Sequence, residues 1–257
     1  MKSPFDTLYL EPVEKKTPHV VQIVLVDHSG RYKIGLPTRP QINHDNGHLA
    51  KFKKREPTIA DRLQLAKWIG MMEGSDLFCK PLTSKYFLDC HGENLSDANA
   101  AYRHFLFGKG ADRTIPYDRY LKEDESGRSL LSRLETDFRL HITAIGKNRT
   151  KFSVTSSEYT IDIGQFGPYP NTTNWQKTIG AHSVWISADI AISSIEGKIT
   201  YDAAITLHME DRYNFNPGES EVATGIPDSA NGLFEITGLG QQYNHFGTSL
   251  HNFRWTD

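Results

Sequence analysis

The sequence predicts an α+β protein, on three observations. Apolar residues recur at helical spacing up to about residue 146. The period then changes to two. Two long alternating stretches flank Glu196-Gly197, as the strands of an antiparallel hairpin flank their turn. Helices gathered ahead of strands imply a helical first part packed on a largely antiparallel, half-barrel-like C-terminal sheet. Residues 1–95 are expected to hold a hairpin and a helix, and residues 96–257 the main α+β region. The two are expected to share one core, because an isolated early hairpin lacks sheet partners.

Each element follows from its own pattern. His19 to Asp27 is rich in β-branched residues and ends in the turn chemistry of Asp27-His28-Ser29-Gly30. Arg31 to Leu36 is the return strand. Residues 37–57 are polar and irregular. Thr58 to Met72 reads as a helix capped by Thr58, with Asp61 in its first turn and Gly70 or Gly74 as its stop. Ser96 caps a second helix that Gly108 ends. A third covers about Gly127 to Ile142, preceded by the acidic run Glu123-Asp124-Glu125, which suits a helix N-terminus. Lys151 to Ile163 alternates loosely. Val184 to Ile192 and Ile199 to Met209 alternate cleanly, each with one apolar face. Tyr243, Phe246, Phe253 and Trp255 recur like core positions.

Composition excludes several classes. The chain has 257 residues, enough for a core without disulfides or metals, and 23% of them are charged, which argues against long disordered tracts. The net charge of -2 gives no basic stripe for a nucleic-acid backbone. Lys51, Lys53, Lys54 and Arg55 read as a solvated loop or helix start. Cys79 and Cys90 fit no zinc or redox spacing; they read as buried thiols in a reducing compartment and as a disulfide in a periplasm. No apolar run follows Met1-Lys2-Ser3-Pro4, so no secretory signal is expected, and Val20 to Val26 is too short to span a bilayer.

One segment breaks the strand pattern. Carried past Met209, the buried phase falls on Asp211, Tyr213 and Phe215. An unpaired buried carboxylate costs several kcal/mol, on the order of the charge-burial penalty. Asp211 is therefore either paired or delivered to a cleft, and Asn216-Pro217-Gly218 stops the strand just beyond it. A carboxylate, a phenol and the amides of Asn214 and Asn216 then converge. That set can hold a divalent cation, magnesium or calcium, or a phosphate-bearing substrate through one. A structural anchor at a strand end is the alternative reading.

Asp211-Arg212-Tyr213-Asn214-Phe215-Asn216 resembles the Asp-x-Tyr-Asp-Phe-Asn segment of the colicin M family of lipid II-degrading bacteriocins. Its place after a long hairpin and before a final helix and strand is similar too. His104-Phe105-Leu106-Phe107-Gly108-Lys109-Gly110 resembles the aromatic-Leu-Phe-Gly-x-Gly segment that ends a helix in such proteins. The resemblance covers about residues 96–257. It implies a cation-dependent hydrolase of undecaprenyl-linked pyrophosphate, with Asp211 as the essential carboxylate, at the metal or the scissile phosphate, and Tyr213 and Asn214 orienting substrate. It also implies contact with the target membrane, a cognate immunity protein, dedicated export from the bacterial cytoplasm, and action in the target periplasm.

Two departures stand out. Asn214 occupies the family's second aspartate position, and Gly218-Glu219-Ser220-Glu221 lacks the expected His-Arg pair. Losing a general base and an Arg clamp costs about two orders of magnitude each. Asp228 and His245 are the candidates for the missing proton transfer. Asp228 reads alternatively as a helix cap, and His245 and His251 as structural imidazoles. His208 falls on the opposite strand face from Asp211. A non-enzymatic toxin, or a module that binds an envelope lipid, is the competing function. A housekeeping protein with Asp211 as an anchor is the third. His44 and His48 have metal-pair spacing, but Asn46-Gly47 argues against the helix they need. Asp89, His91 and Glu93 read as a solvated loop.

Overall fold

The computed structural model describes residues 30–78, 94–146, 148–219 and 228–257. The expected strand His19–Asp27, Cys79, Cys90 and the Asp89-His91-Glu93 group lie outside the described residues. In chain order the elements are β1 (Tyr32–Ile34), α1 (Gly47–Lys51), α2 (Ile59–Phe78), α3 (Ser96–Phe107), β2 (Arg113–Ile115), α4 (Tyr117–Glu123) and α5 (Glu125–Ile145). Then come β3 (Lys151–Ser156), β4 (Tyr159–Ile161), α6 (Thr173–Thr178), β5 (His182–Ile195), β6 (Lys198–Tyr213), α7 (Ser229–Thr237) and β7 (Tyr243–Thr256).

The class is α+β. Among the described residues one sheet runs β1-β3-β5-β6-β7-β2, with β4 beside β3 on the same edge of β5. It is open and does not close into a barrel. Every pairing is antiparallel except β2 with β7. The hairpin β5–β6 pairs from Ser183↔Glu210 to Ile195↔Lys198, and Glu196 and Gly197 both take positive φ at its turn. Two such residues match the right-handed twist of the flanking strands.

One sheet face is buried. α5 lays Leu130, Leu134, Phe138 and Ile142 on it, and α4 adds Tyr117, Tyr120 and Leu121. Ile186, Ile190, Tyr201, Ile205 and Leu207 face them from the strands. A second cluster joins Phe105 of α3, Phe234 of α7 and Tyr243 of β7, with Leu65, Trp68, Tyr213 and Phe215 against it. This smaller cluster lies under the end of β6.

Several boundaries differ from expectation. α2 passes Gly70 and reaches Phe78. Its start is the expected one: Thr58 Oγ1 accepts from Asp61 N–H at 3.2 Å, and Asp61 accepts from Thr58 N–H at 2.7 Å. Ser96 does not cap α3. Asn174 of α6 does so instead, its Oδ1 accepting from the N–H groups of Asp97 and Ala98, each at 3.1 Å. Asp124 caps α5 as charge placement implied, accepting from Ser126 N–H at 2.8 Å. A short helix begins at Gly47, where irregular chain was expected. Tyr32 joins the main core and β1 pairs with β3, so this early segment packs on the later sheet.

Candidate functional site

β6 continues through Asp211 to Tyr213, and its odd-numbered positions face the core, as the alternation implied. Asp211 lies directly opposite His245 on β7, and Arg113 on β2 lies opposite His245 on the other side. Three adjacent strands therefore bring a carboxyl, an imidazole and a guanidinium into one row. Arg113 Nη1 is 3.0 Å from His245 Nε2, and His245 Nδ1 is 3.9 Å from Asp211 Oδ2. Arginine only donates, so Nε2 accepts and the neutral ring carries its proton on Nδ1, toward Asp211. That nitrogen is buried; among the described residues it makes no hydrogen bond of ordinary geometry, and the Thr178 backbone is the polar group near the ring that favours its proton.

Burial sets the protonation of the row. It pushes His245 down to about 3, helped by the charge of Arg113 and by His104 and opposed by the Thr178 backbone. Burial likewise holds the Asp211 carboxyl well above the usual range; the Arg212 N–H and charge oppose this, and Asp45 adds to it. Both shifts favour the uncharged side chains, with the Arg113 guanidinium as the fixed cation of the row. The Asp211 side chain keeps 13% of its surface in contact with solvent.

The segment after β6 is clamped by the early chain. Tyr213 stacks on Tyr243 at 5.1 Å and meets the His245 ring edge-on at 5.6 Å. Asn214 Nδ2 donates to Asp45 Oδ1 at 2.7 Å. The Phe215 carbonyl accepts from His48 N–H at 3.1 Å and contacts His48 Nδ1 at 2.6 Å. Gly47 has φ +48, and a Cβ there would collide with that carbonyl and crowd the side chains of Asn214 and Asn216. Gly232 of α7 leaves the space the His48 ring fills. Two acids complete the clamp. Asn216 N–H donates to Asp228 Oδ2 at 2.9 Å, and Phe215 N–H to Glu235 Oε1 at 3.2 Å. Glu235 Oε2 is buried with no hydrogen-bond partner among the described residues. Burial raises the Glu235 carboxyl to about 8, against the Phe215 N–H and with help from Asp228 and Asp45.

Of the expected residues, Asp211, Tyr213 and His245 meet in the strand row, and Asn216 meets Asp228 in the clamp. Asp228 sits at the N-cap position of α7, yet its side chain makes no cap bond. His251 lies six residues along β7, opposite Ile205, with Ser249 Oγ at 3.0 Å. His48 begins a helix and grips Phe215, whereas His44 approaches Glu210 at 3.6 Å, so the two imidazoles do not form a pair. Arg113, Asp45 and Glu235 escaped the sequence reading, and His48 entered it only as half of the rejected metal pair. Glu235 alone carried a signal: it is an acid inside the apolar run Leu233-Phe234-Glu235-Ile236.

Among the described residues no group of three or more His, Cys, Asp or Glu side chains is placed to hold a metal ion. The shift of Asp211 favours its neutral form, which is a poor cation ligand. This donor set falls short of a resident cation centre.

The even positions of β6 belong to another arrangement. Arg39 forks onto Glu210 at 2.7 and 2.6 Å, and Trp185 Nε1 donates to the same carboxylate at 3.1 Å. Burial disfavours the Glu210 charge, but Arg39 more than offsets this and holds the carboxyl below its ordinary value. His208 stacks on Trp185 at 3.6 Å and contacts Ser187 Oγ at 2.9 Å. The expectation that His208 faces away from Asp211 holds.

Neither a family model nor a curated protein matches the chain. Three solved structures similar to it are bacteriocins or bear a pectocin name. PaeM, a colicin M-like bacteriocin produced by Pseudomonas aeruginosa, is 15% identical with a TM-score of 0.39, covering 63% of this chain and 50% of its own. Syringacin M from Pseudomonas syringae pv. tomato DC3000 is 15% identical with a TM-score of 0.39, covering 62% and 51%. Pectocin M2 is 19% identical with a TM-score of 0.35, covering 74% and 63%. The chain spans about half the length of the first two.

Proposed function

We propose that this protein is an antibacterial toxin that hydrolyses a lipid-linked pyrophosphate such as the peptidoglycan precursor lipid II, acting in the envelope of a target cell. The observation that carries the reading is the Asp211–His245–Arg113 row, which gives the Asp-x-Tyr segment a protonated acid and a fixed cation. In the reaction a phosphorus–oxygen bond of the pyrophosphate linkage breaks and water supplies the oxygen that replaces it. Asp211 gives its proton to the departing oxygen. The resulting carboxylate faces His245 Nδ1–H, with Arg113 behind, which stabilises the charge as it develops. The proton released by the water restores the Asp211 acid. Tyr213 and Asn214 border this row and orient the substrate. Asp228, the other acid expected here, holds the Asn216 backbone in place.

No step runs through a divalent cation; magnesium and calcium enter as arms of the test. Export by a dedicated system and a cognate immunity protein belong to the same reading. Mass spectrometry of purified lipid II incubated with the protein decides the matter, with cation, with chelator, and with Asp211→Asn or His245→Gln. Release of the sugar-peptide pyrophosphate is expected, about a hundredfold slower or worse in either variant. Activity should fall as pH rises past the raised Asp211 value, because the acid must hold its proton. Intact lipid II under every condition, from a folded protein, would leave the non-enzymatic toxin.

A further inference from the structure

Residues 51–67 differ from the rest of the chain. They hold Lys51, Lys53, Lys54, Arg55, Arg62 and Lys67 against Glu56 and Asp61, six positive charges to two negative, in a protein of net charge -2. Arg55 is not free, since it forks onto Asp61 at 2.6 and 3.0 Å. The five other cations are exposed. Between them stand three large apolar side chains that the described residues leave exposed: Ile59 is 80% exposed, Leu63 66% and Phe52 49%.

The helix explains the arrangement. α2 turns Leu65 and Trp68 toward the second core cluster and buries Asp61. Ile59 and Leu63, four residues apart, share the opposite face, and Lys67 continues that row one turn on. A single exposed leucine on a protein surface is ordinary. Three bulky apolar groups ringed by lysine and arginine within twelve residues are the composition of a face that lies on a bilayer. There the apolar groups enter the headgroup boundary and the cations meet anionic lipid.

We infer that the outer face of α2, with the Phe52–Lys54 stretch before it, docks on an anionic phospholipid surface. The charge argues for that occupant, and the aliphatic side chains argue against a nucleic acid, whose backbone offers them nothing. The face also adjoins the candidate site. Phe52 stacks on His48, which grips the Phe215 carbonyl, and Arg55 N–H donates to the Ile236 carbonyl beside Glu235. Docking here sets the clamped segment close to the headgroups. Among the described residues no helix is long and apolar enough to cross a membrane.

Docking does not rest on the hydrolase reading, because vesicles free of any lipid-linked pyrophosphate test it. The full chain is floated with vesicles of phosphatidylcholine alone and with vesicles containing phosphatidylglycerol. Binding is expected only with the anionic lipid and should weaken with salt. Lys53→Glu with Lys54→Glu, and separately Ile59→Ser with Leu63→Ser, should each lower it about tenfold or more. Leu250→Ser, an exposed apolar change on the far sheet face, should leave it unchanged, and all variants should melt like the parent. Absence of binding by the parent, or equal binding by every variant, would overturn the inference. So would duplex DNA binding lost in the lysine variant alone, or a dimer in solution that dissociates in Ile59→Ser with Leu63→Ser.

Discussion

Glu235 shows what burial does to a single residue. Its carboxyl is raised to about 8, above the ordinary 4.5 it would have in the unfolded chain. The folded state therefore binds this proton more tightly. Its contribution to stability is full below the unfolded value and is lost as pH rises through about 8. Glu235→Gln keeps an oxygen acceptor for Phe215 N–H and cannot ionise. We expect its stability relative to the parent to grow between about pH 5 and pH 8, as read from urea midpoints. A constant difference would mean that the carboxyl titrates normally. Asp211 and Glu235 differ in legibility for a physical reason. Asp211 interrupts a strict period of two, and a period of two exposes one wrong residue at once. Glu235 interrupts a nine-residue helix, too short a stretch for periodicity to speak.

At the scale of elements, the long ones were legible; of the short ones, β1 and β4 fall inside stretches read as strand, whereas β2, α1, α4 and α6 gave no sign. The β5–β6 hairpin, its turn and the core face of α5 follow from alternation and helical spacing. β1, β2 and β4 are three residues each, and their strand character comes from the neighbours they pair with. Arg113 was invisible for that reason, since only the parallel pairing of β2 with β7 sets it beside His245. Capping shows the same limit. The acceptor for α3 is supplied by Asn174, about 76 residues away in sequence, where no local pattern reaches. Asn174→Ala leaves the N–H groups of Asp97 and Ala98 without their acceptor. It should cost about 1–2 kcal/mol in chemical denaturation, typical of a lost cap. A change within error would mean that water replaces the amide.

For the whole molecule, two buried histidines should shape stability between about pH 6.5 and pH 4. His182 lies under Tyr117, bonded to its hydroxyl at 2.8 Å, and burial lowers it to about 4, with the Gly180 carbonyl pulling the other way. His245 is lowered to about 3. Depressed values favour the neutral rings in the folded state. Their contribution is complete above the unfolded value of 6.5 and is lost as pH falls through about 4 and then about 3. Thermal melts should therefore drop on acidification from about pH 6.5 to pH 4. His182→Gln should melt lower than the parent at pH 7 but lose less on acidification. Equal losses in both proteins would assign the acid limb elsewhere.

The clamp around β6 carries a consequence in time. Arg39 meets Glu210 across 171 positions of sequence, Asp45 meets Asn214 across 169, and His48 meets Phe215 across 167. On a growing chain the gripping residues emerge first and wait for most of the protein to be made. Contacts at such separation close late, after the entropy of a very long loop has been overcome. The candidate chemistry is thereby deferred: until the last quarter of the chain has left the ribosome, the grip has nothing to hold and His245 has yet to be made.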